Sequence, residues 1–297
     1  MIHGMSPGKR LRQLVEDATV QVPGAPSALL ARLIESCGFD AIYLSGAAFS
    51  AGVLGLPDVG LFTLTELVQQ TTLITRATAL PLIVDADTGF GEALNVERTI
   101  IELEAAGAAA IQLEDQQSPK RCGHLTGKSL VEPAAMCAKL RAAVGARMDN
   151  DLVVIARTDA RGVTGFDDAV ERSKRYLDAG ADWIFPEALR SKVEFEQFAR
   201  AIEAPLIANM TEFGASPLLT LNELADLGYS AVLYPVTLLR ITMKACEAAL
   251  NLIAADGTQA DILDLMQTRE ELYELLDDQA FVDRDNQHAD SRTQNPE

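Results

Sequence analysis

The sequence predicts an α/β fold, a (β/α)8 TIM-type barrel, and three observations carry that expectation. Eight short apolar, β-rich runs alternate with helical patterns. The runs are apolar throughout rather than alternating, as strands covered on both faces are. A weak unit of helix, glycine and strand recurs in ESCGFDAIYL, EAAGAAAIQL, LDAGADWIFP and ADLGYSAVLY. Its glycines, Gly38, Gly107, Gly180 and Gly228, stand where a left-handed residue ends a helix. A doubly wound open sheet is disfavoured, because no Gly-rich phosphate fingerprint follows an early strand.

In chain order the runs are TVQVPG (19–24), AIYLSG (41–46), PLIVDAD (81–87), AIQLED (110–115), LVVIARTD (152–159), WIFPEA (183–188), PLIANMTE (205–212) and AVLYP (231–235). Two amphipathic helical stretches, TLLRITMKACEAALNLIAADG and DILDLMQTREELYELL, extend the chain beyond the eighth run. Residues 1–280 are therefore expected to form one barrel domain with a helical extension. Residues 281–297, mostly the polar, aromatic-free DRDNQHADSRTQNPE, are expected to be a disordered tail.

The totals agree. A chain of 297 residues, 48% of them hydrophobic, suits a barrel, which commonly takes about 250 residues. No apolar run nears the ~20 residues of a membrane span, and MIHGMSPGKRLRQLVEDA holds no apolar signal core, so no membrane association and a cytoplasmic location are expected. The net charge of −18 argues against nucleic-acid partners. It also means that an anionic substrate would need cations gathered locally. Of the four cysteines, Cys37, Cys137 and Cys246 sit in apolar helical patterns and read as core filler, with no metal-finger spacing among them.

Nearly every run ends in polar residues of reactive type: Tyr43 and Ser45, Asp85 and Asp87, Glu114 and Asp115, Arg157 and Asp159, Glu187, Asn209 and Thr211. In a barrel of this kind the strand C-termini surround one mouth, where the active site lies. Strand ends also turn polar simply on leaving a core, but so many ionisable groups call for pairing or a metal, since isolated buried charge is costly. Asp85 and Asp87 are two apart on one strand and face the same side. Two such carboxylates repel unless a cation neutralises them. With Glu114 on the next strand end, an oxygen-only set suits Mg2+, or Mn2+, rather than Zn2+.

Residues 116–131, QQSPKRCGHLTGKSLV, form a connection longer than the usual 2–6 residues, and long glycine-bearing loops at a barrel mouth are candidate lids. Here Cys122 stands among Lys120, Arg121, Gly123 and His124. Those cations favour a thiolate. The spacing alone leaves nucleophile, redox sensor and acid/base open.

The set YLSG, GLPD, VDADTGFG, KRCGH, ARTDA, FPEA, NMTEFG and MQTREELYE, in this order within a match from about Ser6 to about Tyr273, resembles the 2-methylisocitrate lyases of the isocitrate lyase/phosphoenolpyruvate mutase superfamily. The cysteine in the lid loop resembles the C–C lyase branch rather than the mutase and phosphonopyruvate hydrolase branches. The resemblance implies a barrel whose last helical segment is swapped between subunits of a homo-oligomer, usually a tetramer. It implies Mg2+-dependent cleavage of a small tricarboxylate, (2S,3R)-2-methylisocitrate, to pyruvate and succinate in propionate catabolism.

Roles follow from the same resemblance. Cys122 would protonate the carbanion, with its thiol tuned by Lys120, Arg121 and His124, and Tyr43 would receive or relay the 2-hydroxyl proton. Asp85 and Asp87 would bind the metal, with Asp58 and Glu114 acting through waters. Ser45, Gly46 and Ala47 would grip the pyruvate carboxylate. Arg157, Arg240 and Asn209 would bind the succinate half, near Gly123, His124 and Thr211, with Glu187 orienting Arg157 or the surroundings of Cys122 and Arg269 closing the site. Some members follow YLSG with more glycine where this chain has Ala47 and Ala48, which would strain Ala47 if its φ had to be positive. Phe185, Pro186 and Leu233 are expected to choose among sibling substrates such as isocitrate, 2,3-dimethylmalate or oxaloacetate. A redox-sensing dicarboxylate-binding protein is the alternative outside enzymology.

Overall fold

Each of the eight runs holds a strand: β1 Val20–Pro23, β2 Ile42–Leu44, β3 Leu82–Asp85, β4 Ala110–Glu114, β5 Val153–Thr158, β6 Trp183–Pro186, β7 Ile207–Asn209 and β8 Ala231–Tyr234. The computed structural model describes residues 4–125 and 127–293. All pairings are parallel, in two arcs, β2-β3-β4-β5-β6 and β1-β8-β7. Single bridges from Gly24 to Tyr43 and from Ile184 to Leu206 join the arcs. The ring therefore closes in chain order.

The helices are α1 Pro7–Asp17, α2 Ala28–Ser36, α3 Gly46–Gly52, α4 Leu64–Ala77, α5 Ala93–Ala105, α6 Pro133–Ala146, α7 Phe166–Asp178, α8 Lys192–Ala201, α9 Leu221–Asp226, α10 Thr237–Asp256, α11 Arg269–Leu276 and α12 Asp278–Thr293. Gly38, Gly107, Gly180 and Gly228 follow α2, α5, α7 and α9 with φ of +82°, +93°, +103° and +88°. A side chain at such φ costs energy, so the repeated glycine is what turns each helix back into the next strand. Helix α4 starts with a reciprocal cap between Thr63 and Glu66, which satisfies two amides that a helix start leaves open.

Two apolar sets hold the barrel. One lies between strands and helices and includes Leu44, Val84, Ile111, Val154 and Ile184 with Leu67, Ile100, Leu140 and Phe198. The other fills the interior with Val22, Ala41, Tyr43, Ile83, Ala110, Val153, Ile155, Trp183, Phe185, Ile207, Ala231 and Leu233. Each fully buried large side chain contributes about 1.5–3 kcal/mol. Leu11 of α1 belongs to the interior set. The same helix reaches the strand N-termini, with Arg12 donating to the Asp151 carbonyl at 2.9 Å and Arg10 to that of Ala79 at 2.7 Å. One end of the barrel is thereby committed to packing.

The described residues fall into two compact units, one up to Arg240 and one from Ile241. The sequence reading expects a barrel with a C-terminal helical extension through residue 280, and the boundary between the two units lies inside α10. The second unit holds the rest of α10, a 3-10 turn at Ala260–Leu265, α11 and α12. Residues 281–293, expected to be disordered, lie in α12, whose polar sequence is supported by local pairs, Gln279 to Asp283 at 2.8 Å and Arg284 to the Ala280 carbonyl at 3.2 Å. Residues 294–297 of that expected tail lie outside the described residues.

Cys137 is buried, as expected of core filler, but Cys37 and Cys246 are exposed. Cys37 sits at the C-cap of α2, where the chain leaves the core, and α10 buries none of its residues within the chain.

Candidate active site

Residues two apart on a strand share a face, so the inward set of the barrel can be followed up each strand to its C-terminal end. Tyr43 leads to Ser45, Ile83 to Asp85, and Ala110 to Gln112 and Glu114, while Asp87 lies past the end of β3 with a left-handed φ of +46°. Ile155 leads to Arg157 and Asp159, Phe185 to Glu187, and Ile207 to Asn209 and Thr211. The apolar interior thus turns into chemistry without any change of register. These ends surround a cavity of about 90 Å³ lined by Tyr43, Ser45, Ala47, Asp58, Asp85, Arg157, Phe185, Glu187, Asn209, Thr211, Leu233, Pro235, Val236 and Arg240, and by Lys120, Arg121, Cys122, Gly123 and His124 from above.

One wall is acidic. Asp85 accepts hydrogen bonds from the Gly46 amide at 3.1 Å, Gln112 Nε2 at 3.0 Å and the Asp87 amide at 3.2 Å. Burial pushes the Asp87 carboxyl up to about 7, against the pull of the Lys120 ammonium and with the added push of Asp85. Burial likewise holds Glu114 well above the usual carboxylate range, although Arg157 pulls it down. Lys120 pairs with Asp58 and, at 2.9 Å, with Asp87. Burial works against its charge, but Asp87, Glu114, Asp58 and Asp85 together keep it protonated above its ordinary range.

Among the described residues no three His, Cys, Asp or Glu side chains form a ready-made metal cage, and two of the expected ligands face Lys120 instead. The donor set nevertheless fits a hard divalent cation. It is all oxygen, it is buried, its negative charge exceeds the one ammonium beside it, and Glu114 Oε1 lacks any hydrogen-bond partner. Asp85, Asp87 and Asp58 would be the residues to hold such an ion, with Glu114 reached through water.

The opposite wall is cationic and amidic. Arg157 lies 3.0 Å from Asp159, 3.4 Å from Glu114 and 3.7 Å from Glu187, and stacks 5.2 Å over the Phe185 ring. Burial alone would raise the Glu187 carboxyl, but Arg157, His124 and Asn209 bring it down to about 2. Asn209 Nδ2 donates to Glu187 at 3.2 Å and its Oδ1 accepts the Thr211 amide at 3.1 Å. Arg240 is tied to Glu212 at 3.5 Å and lies 5.3 Å over Phe213.

The KRCGH loop closes the top. Its base is pinned by an antiparallel bridge between Gln116 and Leu130 and by the Gln117 amide on the Ser129 carbonyl at 2.8 Å. Lys120 reaches the acidic wall, while His124 Nε2 lies 2.8 Å from Glu187 on the other side. Gly123 fits because it has no side chain. A Cβ there would meet Arg157 Nη2 at 2.2 Å and Glu187 Oε1 at 2.5 Å. Cys122 lines the cavity between the two walls.

Most expected residues meet here, and four stand elsewhere. Gly46 is behind the cavity wall, its amide committed to Asp85, so it is not free to grip a carboxylate. Asp87 and Glu114 lie behind Lys120 and Arg157 rather than on the cavity surface. Arg269 opens α11, in the second unit. Ala47 lies within α3, and its φ is not positive; the feared strain is absent.

One role changes. Tyr43 donates its hydroxyl to Gln112 at 2.9 Å, and burial, with Asp85 next, pushes its phenol well above 10.0. That makes it a hydrogen-bond donor rather than a proton acceptor. His124 Nδ1 accepts the Ala215 amide at 2.9 Å, which holds Nε2 toward Glu187.

The sequence reading missed Gln112, Gln116 and Lys128. Gln112, two residues before Glu114 on the inward face, could have been found from register. Asp115, by contrast, faces outward and is structural, accepting from Thr158 at 2.7 Å, Tyr176 at 2.8 Å and the Asp159 amide at 2.9 Å.

With this geometry in hand, comparison with known proteins is informative. The phosphoenolpyruvate phosphomutase family model matches residues 11–254. A 2-methylisocitrate lyase of Aeropyrum pernix is 55% identical over 280 residues, 94% of this chain and 90% of that protein. A crystal structure of 2,3-dimethylmalate lyase matches with a TM-score of 0.89 at 35% identity, covering 95% of this chain and 96% of its own. Phosphonopyruvate hydrolase complexed with oxalate and Mg2+ matches with a TM-score of 0.83 at 30% identity, covering 93% and 97%.

Proposed function

The chain belongs to the phosphoenolpyruvate mutase/isocitrate lyase superfamily, and on that premise we propose that it is a Mg2+-dependent carbon–carbon lyase that cleaves (2S,3R)-2-methylisocitrate to pyruvate and succinate. The observation that carries this reading is the place of Cys122. A lid thiol faces a cavity with oxygen donors on one wall and Arg157, Asn209 and Arg240 on the other. That arrangement suits a substrate with a 2-hydroxy acid at one end and a carboxylate-stabilised carbanion at the other.

Mg2+, when bound, supplies Lewis-acid stabilisation of the negative charge that develops on the 2-oxygen. The chain does the rest. Ser45 and Ala47 border the end of the cavity beside Asp85, where the 2-hydroxy acid would lie. Tyr43, whose hydroxyl donates to Gln112, lines the same end. As the C2–C3 bond breaks, its electron pair passes to C3 and the adjoining carboxylate. Arg157 and Asn209, already oriented by Asp159 and Glu187, meet that charge without reorganising. Cys122 gives its proton to C3. The 2-hydroxyl gives up its proton to solvent in the cavity, and the Cys122 thiolate takes one back from solvent before the next turnover, so the step balances overall. The local cations also explain how a chain of net charge −18 would take a tricarboxylate.

The test is pyruvate release from 2-methylisocitrate, with and without EDTA, in wild type and Cys122→Ser. Loss of turnover in both arms, with ligand binding kept in the variant, is expected. A variant that loses only sensitivity to oxidants would instead identify a redox sensor. Substrate preference among siblings is read from a panel of isocitrate, 2,3-dimethylmalate and oxaloacetate. Faster turnover of any of these than of 2-methylisocitrate overturns the assignment. Phe185 and Leu233 line the cavity and would set that choice, whereas Pro186 is not among its lining residues.

A cytoplasmic homo-oligomer, a tetramer with exchanged C-terminal helices, completes the proposal. Its support is the apolar surface of the second unit, where Ile241, Met243, Leu250, Leu265 and Phe281 are exposed. Among the described residues no helix is long and apolar enough to cross a membrane. Sedimentation at micromolar concentration tests the oligomer.

A further inference from the structure

The backbone carbonyls on either side of Cys122 are both held by side chains that the reaction itself does not use. On one side, Gln116 makes a two-point clamp with Arg121, its Nε2 donating to the Arg121 carbonyl at 2.9 Å and its Oε1 accepting the Arg121 amide at 2.9 Å. On the other, the Lys128 ammonium donates to the Gly123 carbonyl and, at 2.8 Å, to Asp159 Oδ1. Lys128 is buried, its side chain 2% exposed and that of Asp159 0%. A buried ammonium is stable only while paired, and Lys128, in the lid loop with Gly123, has its carboxylate partner Asp159 at the barrel's strand end. Asp159 in turn accepts Arg157 Nε at 3.0 Å and Nη2 at 3.3 Å.

We propose that Lys128 and Gln116 are positioning residues, which fix the Cys122 peptide from both sides, and that Lys128 latches the closed lid to the carboxylate that orients Arg157. Lid closure and the readiness of the cationic wall are thereby joined through Asp159. With the lid open, Lys128, itself part of the 116–131 loop, would leave Asp159, and that carboxylate would face Arg157 without the lysine. Neither side chain touches the reacting atoms. Both act through the position of the thiol.

The inference rests on the lyase reading for its kinetic part only. The enzyme is compared as wild type, Lys128→Met, Lys128→Arg and Gln116→Leu, each checked for a native melting transition. The rate of iodoacetamide labelling of the Cys122 peptide is followed by mass spectrometry, with and without Mg2+, pyruvate and succinate. Wild-type Cys122 is expected to be protected by these ligands, and Lys128→Met to lose most of that protection. Its kcat should fall about 100-fold, the cost of an ångström-scale misplacement, with KM changed far less. Lys128→Arg should restore part of both, and Gln116→Leu should show the same split without moving Asp159. If Lys128→Met does not fold, the Gln116→Leu and Lys128→Arg arms decide. Labelling and kcat within about twofold of wild type in the folded variants overturn the inference, because a misplaced thiol costs far more. If wild type itself releases no pyruvate, the lyase reading fails, while the labelling arm still tests the latch.

Discussion

His124 Nε2 lies 2.8 Å from Oε1 of Glu187, joining the lid loop to the end of β6. Glu187 accepts from Asn209 at 3.2 Å and faces Arg157 at 3.7 Å. One buried carboxylate therefore gathers the lid, a strand-end amide and the central guanidinium.

Glu187→Gln should remove that centre. Breaking a buried ionic group from one side costs about 3–5 kcal/mol, so the variant should melt well below wild type at pH 7 and lose turnover. The Glu187 carboxyl is held at about 2 against an ordinary 4.5. The stability it contributes is complete above its ordinary value and is lost as the pH falls through the folded one. The gap between wild type and variant should accordingly narrow as the pH falls from about 4.5 to about 2. Urea melts at stepped pH measure it, and a gap independent of pH would count against the pairing.

Gly123→Ala places a methyl group where Arg157 Nη2 and Glu187 stand, at 2.2 and 2.5 Å. The clash exists only with the lid closed, so an open lid avoids it. Stability should stay within about 0.5 kcal/mol of wild type, while kcat falls at least about 100-fold. Near-normal turnover would show that chemistry does not need this lid position.

Asp87→Asn separates folding from metal binding. Folding raises the Asp87 carboxyl from 3.8 to about 7, so without metal its ionisation costs stability as pH rises through that window. Asn also accepts the left-handed φ of +46° at this position. The metal-free variant should melt at or above the wild-type temperature at pH 8. Mg2+ at 100 times its Kd should stabilise wild type by about 2.7 kcal/mol and the variant by far less. Calorimetry with and without Mg2+ reads both, and an unchanged response to Mg2+ in the variant would remove Asp87 from the metal site.

The cysteines should separate by place. Cys37 is exposed at a helix end, away from the mouth, so Cys37→Ser should keep kcat within about twofold, as surface changes do. Cys122→Ser should lose about 10²–10⁴-fold, the usual worth of a positioned acid. Equal effects of the two would mean that neither thiol takes part in the reaction.

The eight strands and the glycine stops were legible because both are local. Apolar runs record burial on two faces, and a helix-ending glycine records a φ that other residues resist. The inward register from Ile83 to Asp85, or from Ile155 to Arg157, follows from the period of two alone. Cys122 was conspicuous because its neighbours were charged rather than apolar.

The partners of those residues were decided by tertiary structure. Lys128 meets Asp159 from 31 positions away and His124 meets the Ala215 amide from 91. Ring closure and the folded-back lid create these contacts, and no local periodicity encodes them. For the same reason the sequence could name Tyr43 as a site residue but not settle its proton. A phenol's tendency to ionise depends on burial and on the groups that face it. The sequence by itself determined the barrel, its mouth and the thiol above it. The closed structure decided which carboxylate each cation answers, because charge pairing in a dry cavity depends on distances that only the completed ring brings into being.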